Sequence, residues 1–485
     1  MKKIFAILMV LATLVGILSM AGCSNTYSAE PNFQVPETGF DPNEKVEITF
    51  EHTMGQAPIK VLEAAIERFN KLYPNITVKQ ANKGGWSDIA GVINKEIMAN
   101  NQPNIVYCYP DHVATYNLSK SVVTLDNLIA SDFEITRADG SKEVLGLTQE
   151  QIDDFVKAYY EEGKVYGDGL MYTMPLAKST EVMYYNKDAF EEWGIKVPTT
   201  WDEMWEACRI LKEKDPKCVP LGYDSADNWF ITYCEQAGYA YTSATGEHFL
   251  FDNDETRAFI EELRGYYKLG YFTTKQMYTT YTSGLFTEDD PDQSRCYMCI
   301  GSTGGAAHQI PTTKDENGNE TIMFEVGIAD MPQVDVNNKK AISQGPSVCI
   351  LKGKDTTDQQ VMASWLFIKF LCTDVEFQRV FTSSQGYMPV INSITEDETF
   401  AAWLNEGNGF ENLTALVIKT AMEGRENYFT SPAFAGSTAA RTEVGELLNK
   451  CISDQITADL TQEQVKKLIK DAFADSVAEC KYQVG

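Results

Sequence analysis

Met174-Pro175-Leu176-Ala177-Lys178-Ser179-Thr180-Glu181-Val182-Met183-Tyr184-Tyr185-Asn186-Lys187-Asp188-Ala189-Phe190 is the segment on which the reading of the fold turns. Glu181 to Asn186 is an apolar, aromatic run of strand length. Lys187 to Trp193 reads as a short helix, and Pro198-Thr199-Thr200-Trp201-Asp202-Glu203 opens another. Thr200 with Glu203 three residues on is capping-box spacing, so hydrogen bonding specifies where that helix starts.

Towards the N-terminus, Val46-Glu47-Ile48-Thr49-Phe50 alternates apolar and polar residues as a strand does. Ile59 to Tyr73 puts Leu62, Ala65, Ile66, Phe69 and Leu72 on one helical face, and Pro74-Asn75 stops it. Ile76 to Val78 starts a second strand. Trp86 to Asn100 is helix-like and leads to a third strand at Asn104 to Tyr107. Strands alternating with helices imply a parallel sheet covered by helices. Towards the C-terminus, Val361, Trp365, Ile368 and Leu371 form a helical stripe. Thr461 with Gln464 caps a helix carrying Val465, Leu468, Ile469, Phe473 and Val477. Thr312 to Asn319 reads as a polar, exposed loop.

At 485 residues the chain has room for two or three lobes. Lys2 and Lys3, an apolar run from Ile4 to Leu18 and then Ser19-Met20-Ala21-Gly22-Cys23 read as an export signal, too short in its apolar part for a membrane span. A cysteine directly after Ala-Gly is similar to the bacterial lipobox, in which the thiol is acylated and becomes the new N-terminus. Residues 1–22 are therefore expected to be a signal peptide, and 23–44 a lipidated Cys23 with a flexible tether rich in proline and polar residues. The protein is expected at the extracellular face of the cell membrane, held there by the lipid alone. The formal charge of −28 argues against nucleic acid and anionic lipid head groups as partners. Of eleven cysteines, Cys349 and Cys372 sit in apolar strings as small buried hydrophobes do. Cys296-Tyr297-Met298-Cys299 has redox or zinc spacing without a second Cys or His pair nearby. No metal and no cofactor is expected.

Several segments in one order carry a family resemblance. They are Phe69 to Val78; Met174 to Phe190 with Gly194 and Pro198 to Glu203; and Gly345-Pro346-Ser347, the Trp365 to Leu371 helix and Gly386-Tyr387-Met388-Pro389-Val390. Together they resemble the extracellular solute-binding proteins of ATP-driven importers, in the sugar-binding group, with some likeness to its glycerol-3-phosphate-binding branch. The resemblance implies an α/β, two-lobed periplasmic-binding-protein-like fold. Each lobe would be a mainly parallel sheet flanked by helices, with the ligand cleft between them. The chain would cross more than once: 45–177 plus about 348–392 in the N-lobe, 178–347 plus about 393–485 in the C-lobe. It also implies capture of a mono- or oligosaccharide by a monomer, delivery to the permease subunits of an ABC importer, and no catalysis. A phosphorylated polyol is the alternative ligand, and a secreted glycoside-active enzyme the rival class.

Sugars need aromatic rings against their C–H faces and planar polar groups at their hydroxyls. Trp229, in the polar turn Ser225 to Phe230, and Trp86, after Lys83-Gly84-Gly85, are candidate stacking rings, with ordinary packing as the rival. Tyr109 and Asp111 follow the third strand, at the end where ligands gather in open α/β sheets, although Asp111 also fits as a helix cap. Ser302, in Gly301-Ser302-Thr303-Gly304-Gly305, offers a hydroxyl beside open backbone, or a plain glycine turn. The resemblance adds Ser179, Gly345, Tyr387 and Arg441, which fall together with Ser302 where the glycerol-phosphate branch places ligand contacts. Arg441 suits a phosphate held bidentately, and equally a surface position.

Overall fold

The computed structural model describes residues 29–290, 292–315, 317–406, 412–452 and 460–484. Cys23 and the export signal lie outside these. The chain divides into a unit ending at Glu30 and a second unit from Pro31 to Gly485. The fold is that of the second unit.

In chain order its main elements are β1 (Val46–His52), α1 (Gln56–Leu72), β2 (Ile76–Asn82), α2 (Trp86–Met98), β3 (Ile105–Cys108), α3 (Pro110–Tyr116), β4 (Met174–Pro175), β5 (Glu181–Asn186), α4 (Trp201–Lys214), β6 (Leu221–Tyr223), α5 (Ala226–Ala237), α6 (Asp254–Lys268) and β7 (Phe272–Thr274). There follow β8 (Met298–Ser302), β9 (Val326–Asp330), β10 (Ala341–Ile342), β11 (Ser347–Ile350), α7 (Asp358–Thr373), α8 (Val375–Ser383), β12 (Tyr428–Phe429), α9 (Ser437–Ile452) and α10 (Gln462–Val484).

Two five-stranded sheets result, ordered β2-β1-β3-β11-β4 and β9-β5-β8-β6-β7. The α/β class follows directly, but both sheets are mixed. Strand β1 runs parallel to β2 and β3, whereas β11 runs antiparallel to β3 and β4. In the second sheet β6 is parallel to β7 and β8, while β5 is antiparallel to β8 and β9. The antiparallel strands β4, β5 and β11 lie next to the passages between the sheets, not inside right-handed βαβ units, so nothing constrains them to the parallel direction.

The chain leaves the first sheet at β4 and enters the second at β5. It returns from β10 to β11. At these passages Ser179 and Gln344 exchange backbone hydrogen bonds of 2.9 and 2.8 Å, and Lys178 pairs with Met388. Gly345 makes the close approach possible: its φ is +91°, and a Cβ there would lie 2.8 Å from Lys178 Cα and Ser179 N.

Each sheet has its own core. In the first, α7 lies against β1 and β11, and Phe367 meets Phe50 and Phe69 edge-on. The stripe read in α7 widens here to burial on nearly every side, with Trp365 Nε1 donating to Leu145 O at 2.8 Å. In the second, Trp201, Trp205, Trp229 and Phe272 pack with Leu221, Met298 and Val444. Thr200 caps α4 through its hydroxyl, while Glu203 reaches back to Thr199, one residue beyond a strict capping box.

Two expectations are corrected. The segment 31–44 is not a free tether: Phe33 and Phe40 are each 2% exposed, and Asn32 exchanges hydrogen bonds with Thr124. Two buried rings and paired backbone groups are enough to order a segment whose prolines already restrict it. Thr312 to Asn319 belongs to an exposed two-stranded hairpin, Thr312–Lys314 against Glu320–Ile322. The ten described cysteines are all free and buried.

Candidate functional site

Each five-stranded sheet with its own core forms one body, and where these two bodies face one another two adjoining chambers open, of about 360 and about 720 Å³. Trp86, Tyr109, Ser225, Asn228 and Gln344 line both, which makes them one cleft.

The first body contributes rings. Gly84 (φ +92°) and Gly85 turn the chain from β2 into α2, whose first residue is Trp86. Residue Tyr109 is the N-cap of α3, with Pro110 in the first turn, as suits a position needing no backbone donor. These turns stack Trp86 on Tyr109 at 4.1 Å and on Tyr107 at 4.9 Å, each at 23°. The result is a rigid apolar platform that leaves Trp86 half-buried.

The second body contributes polar groups, wired together. Glu181, 2% exposed at the start of β5, accepts from Tyr223 Oη at 2.7 Å and from Asn228 Nδ2 at 3.0 Å. Asn228 Oδ1 in turn accepts from Arg441 Nη1. The same Nη1 donates to Asp227 Oδ2 at 2.8 Å, and Ser225 Oγ donates to Asp227 Oδ1 at 2.6 Å. Burial pushes the Glu181 carboxyl up to about 8, against the pull of its two donors. Burial also raises Asp224, which accepts from Thr282 N and Oγ1 at 2.7 and 2.8 Å. For Arg441, burial opposes the charge, but Asp227 and Asp111 outweigh it and its pKa moves up. The guanidinium is thus held between two carboxylates.

Among the described residues, three buried lining atoms have no hydrogen-bond partner: Thr242 Oγ1, Ser431 Oγ and Gln309 Oε1. Gln309 is 2% exposed. Buried polar atoms are normally paired, so orphans in a cleft wall mark positions that a ligand's hydroxyls would complete. The walls also touch, since Thr438 Oγ1 lies 3.3 Å from Asp111 Oδ2.

Of the residues singled out in the sequence, Trp86, Tyr109, Asp111, Gly345 and Arg441 line the smaller chamber, and Ser179, Ser302 and Tyr387 the larger. Asp111 does not cap α3: Tyr109 occupies the cap position, and the Asp111 side chain faces the cleft. Ser302 also caps the turn after β8, its Oγ accepting from Gly304 N at 3.2 Å. Trp229 is the correction. It is fully buried, stacked on Tyr223 at 4.7 Å and 8° and on Trp201 at 5.5 Å. Ser225, the N-cap of α5, and Asn228 share the face that meets the cleft, and Trp229 points about 100° away into the core. Asp227 and Asn228 beside it are the cleft residues, and that polar turn was their signal in the sequence. Glu181, a carboxyl opening an apolar strand, was likewise visible as a charge in an apolar setting. Glu162, Asp224, Thr242, Gln309, Ser431 and Thr438 carry no local signal.

Two α/β bodies joined by repeated passages, with a polar and aromatic cleft between them, define a hinged small-molecule receptor. The chain belongs to the bacterial extracellular solute-binding protein family, whose model matches residues 64–406. It is 25% identical over 361 residues to the sn-glycerol-3-phosphate-binding periplasmic protein UgpB of Salmonella typhimurium, covering 72% of this chain and 75% of that one. Among solved structures, UgpB from Mycobacterium tuberculosis in complex with glycerophosphocholine matches with a TM-score of 0.67 at 18% identity, over 90% of this chain and 99% of that one. The cyclic α-maltosyl-1,6-maltose binding protein from Arthrobacter globiformis matches with a TM-score of 0.66 at 16% identity, again over 90% and 99%. At these identities the likeness shows the fold. No helix among the described residues is long and apolar enough to cross a membrane.

Proposed function

We propose that the protein captures an uncharged carbohydrate outside the cell and delivers it to the permease of an ABC importer, tethered to the membrane through an acylated Cys23. The observation that carries the ligand class is the pairing of the Trp86–Tyr109 platform with unpartnered hydrogen-bonding atoms on the opposing wall. An apolar flat face and a ring of hydroxyls are the two surfaces of a pyranose. The cleft acts by binding and release, and no catalytic step is assigned to it.

The UgpB relatives raise a phosphorylated polyol as the alternative. The electrostatics speak against it. Arg441 is already engaged by Asp227 and Asn228, and the cleft also holds Asp111 and Asp224. A phosphate entering here would meet carboxylates before a free guanidinium.

Thermal shift followed by calorimetry tests the reading, with glucose, maltose, maltotriose, xylotriose and sn-glycerol 3-phosphate as probes. A ligand that binds only the folded state at a hundred times its Kd adds about 2.7 kcal/mol of stability. Stabilisation by a neutral sugar, with the sugar recovered intact, is the expected result. Stabilisation by the phosphate alone would replace the sugar with the phosphorylated polyol, and sugar cleavage would make the protein an enzyme.

A further inference from the structure

At the back of the smaller chamber lies a carboxylate that the cleft's recognition groups do not use. Glu162 sits in a short 3-10 turn, Glu162–Lys164, beside β4 of the first body, and is 3% exposed. It accepts from four side chains. Lys178 Nζ, from the first passage and fully buried, pairs with Oε1. Ser347 Oγ, at the start of β11, donates to the same oxygen at 2.9 Å and also accepts from Lys178 Nζ at 2.9 Å. On the other oxygen, Thr430 Oγ1 donates at 2.9 Å, and Ser343 Oγ lies at 3.5 Å.

The origins of these donors matter more than their number. Ser347 belongs to the first sheet, and Lys178 to a passage strand. Thr430 follows β12, which pairs with β10, and Ser343 N donates to Phe429 O at 2.7 Å. Both β10 and the segment after Thr430 are rooted in the second core through Ile342 and Phe434. One carboxylate of the first body therefore holds the passages through Oε1 and reaches the second body through Oε2.

A buried ion pair is a poor device for stability alone, because desolvation offsets most of the attraction. It fixes geometry well when its remaining valences are filled, as here. Glu162, Ser343 and Thr430 all line the smaller chamber, so the link between the bodies is part of the wall a ligand would touch.

We propose that Glu162, braced by Lys178, is a positioning residue that grips Thr430 at the back of the cleft, beside the passages, and thereby sets the population of the closed arrangement. The proposal rests on the reading that the two bodies close on a solute. A receptor that visits its closed arrangement only part of the time binds more weakly by that fraction. Glu162 would thus tune affinity without being the group that recognises the ligand. The hydroxyl of Thr430 is the element to remove, because its loss leaves the Glu162–Lys178 pair and the passages intact.

The test needs no ligand. Two ketone-reactive spin labels, each on a p-acetylphenylalanine introduced in place of the exposed Lys79 of the first body and the exposed Glu213 of the second, report the separation of the bodies by pulsed electron resonance in the mature protein. The unsubstituted protein is expected to show a population at short separation. Thr430→Val should lower the ratio of short to long separations by about tenfold, the lower end of what a hydrogen bond to a charged group carries. Thr430→Ser, which keeps the hydroxyl, should restore it. A Thr430→Val distribution that superimposes on the unsubstituted one overturns the proposal. So does a change in melting temperature without a change in separation, or a failure of Thr430→Ser to restore the distribution. If no sugar or phosphate binds in calorimetry, the ligand reading fails while this measurement still stands or falls by itself.

Discussion

Trp86 and Trp229 look alike in the sequence, each following a polar or glycine-rich turn and each near the start of a helix. The structure puts Trp86 on the cleft platform and Trp229 in the middle of the second core. The difference lies in helix phase. Trp86 is the first residue of α2, where the side chain overhangs the turn and meets Tyr109. Trp229 is the fourth residue of α5, one position past Asn228, and that step of about 100° turns it from the cleft to the core. A tryptophan's neighbours in sequence thus say little about its surroundings until the face of its helix is known.

The comparison can be broken from both sides. The largest expected effect is that of Trp229→Ala, a loss of about 3–5 kcal/mol of unfolding free energy in urea, the usual cost of emptying a buried aromatic site. Near-normal stability together with lost binding would return Trp229 to the cleft. Trp86→Ala should do the reverse. Its melting temperature should stay close to that of the parent, while affinity for the sugar found in the thermal-shift panel falls by about 2 kcal/mol, or roughly thirtyfold in calorimetry. Unchanged affinity would remove the platform from the account.

The opposing wall predicts a gain. Asp227→Asn removes the closest carboxylate from Arg441 and should free part of its charge. Binding of sn-glycerol 3-phosphate is then expected to strengthen by about tenfold over the parent, near 1.4 kcal/mol. A parent that already binds the phosphate tightly, with no gain on substitution, would show that Arg441 was available all along.

The last effect concerns pH and is the smallest over any single pH unit. The folded-state pKa of Glu181 lies near 8, above its ordinary carboxyl value, chiefly because of burial. Between the two values the folded protein holds a proton that the unfolded chain releases, so stability must fall as pH rises through that window. Glu51, raised to about 7 by burial, slopes the same way. The difference between the parent and Glu181→Gln isolates Glu181. Its slope should be about 1 kcal/mol per pH unit between pH 5 and 8, read from urea unfolding at several pH values. Equal slopes in the two proteins would mean that Glu181 titrates normally.

How far the sequence could be read follows the range of each interaction. Helix and strand identities were legible because periodicity and caps act within a few residues, as at Thr200 and Glu203. The first passage was placed by the family resemblance and not by any local pattern, since the residues around it carry no signal of a change of sheet. Tyr109 and Asp111 were legible as cleft residues through their place at the end of a sheet strand. The Glu181–Asn228–Arg441 chain joins residues 47 and 213 positions apart, and nothing local foretells it. Glu162 reaches Thr430 across 268 positions, with the same result. The order in residues 31–44 escaped notice because Phe33 and Phe40 each stand alone among polar neighbours, and only the surface they pack on shows why they are there.

The ten sheltered sulfurs have a practical use. Burial raises thiols such as Cys208, Cys296 and Cys372 above their ordinary range, which leaves little thiolate to react. A maleimide or aromatic disulfide reagent applied to the native, exported protein should therefore find one sulfur at most, that of Cys23. A count near zero would indicate that this sulfur is blocked, and a count near one that it is bare. Stoichiometry in a cuvette thereby gives a simple readout of acylation.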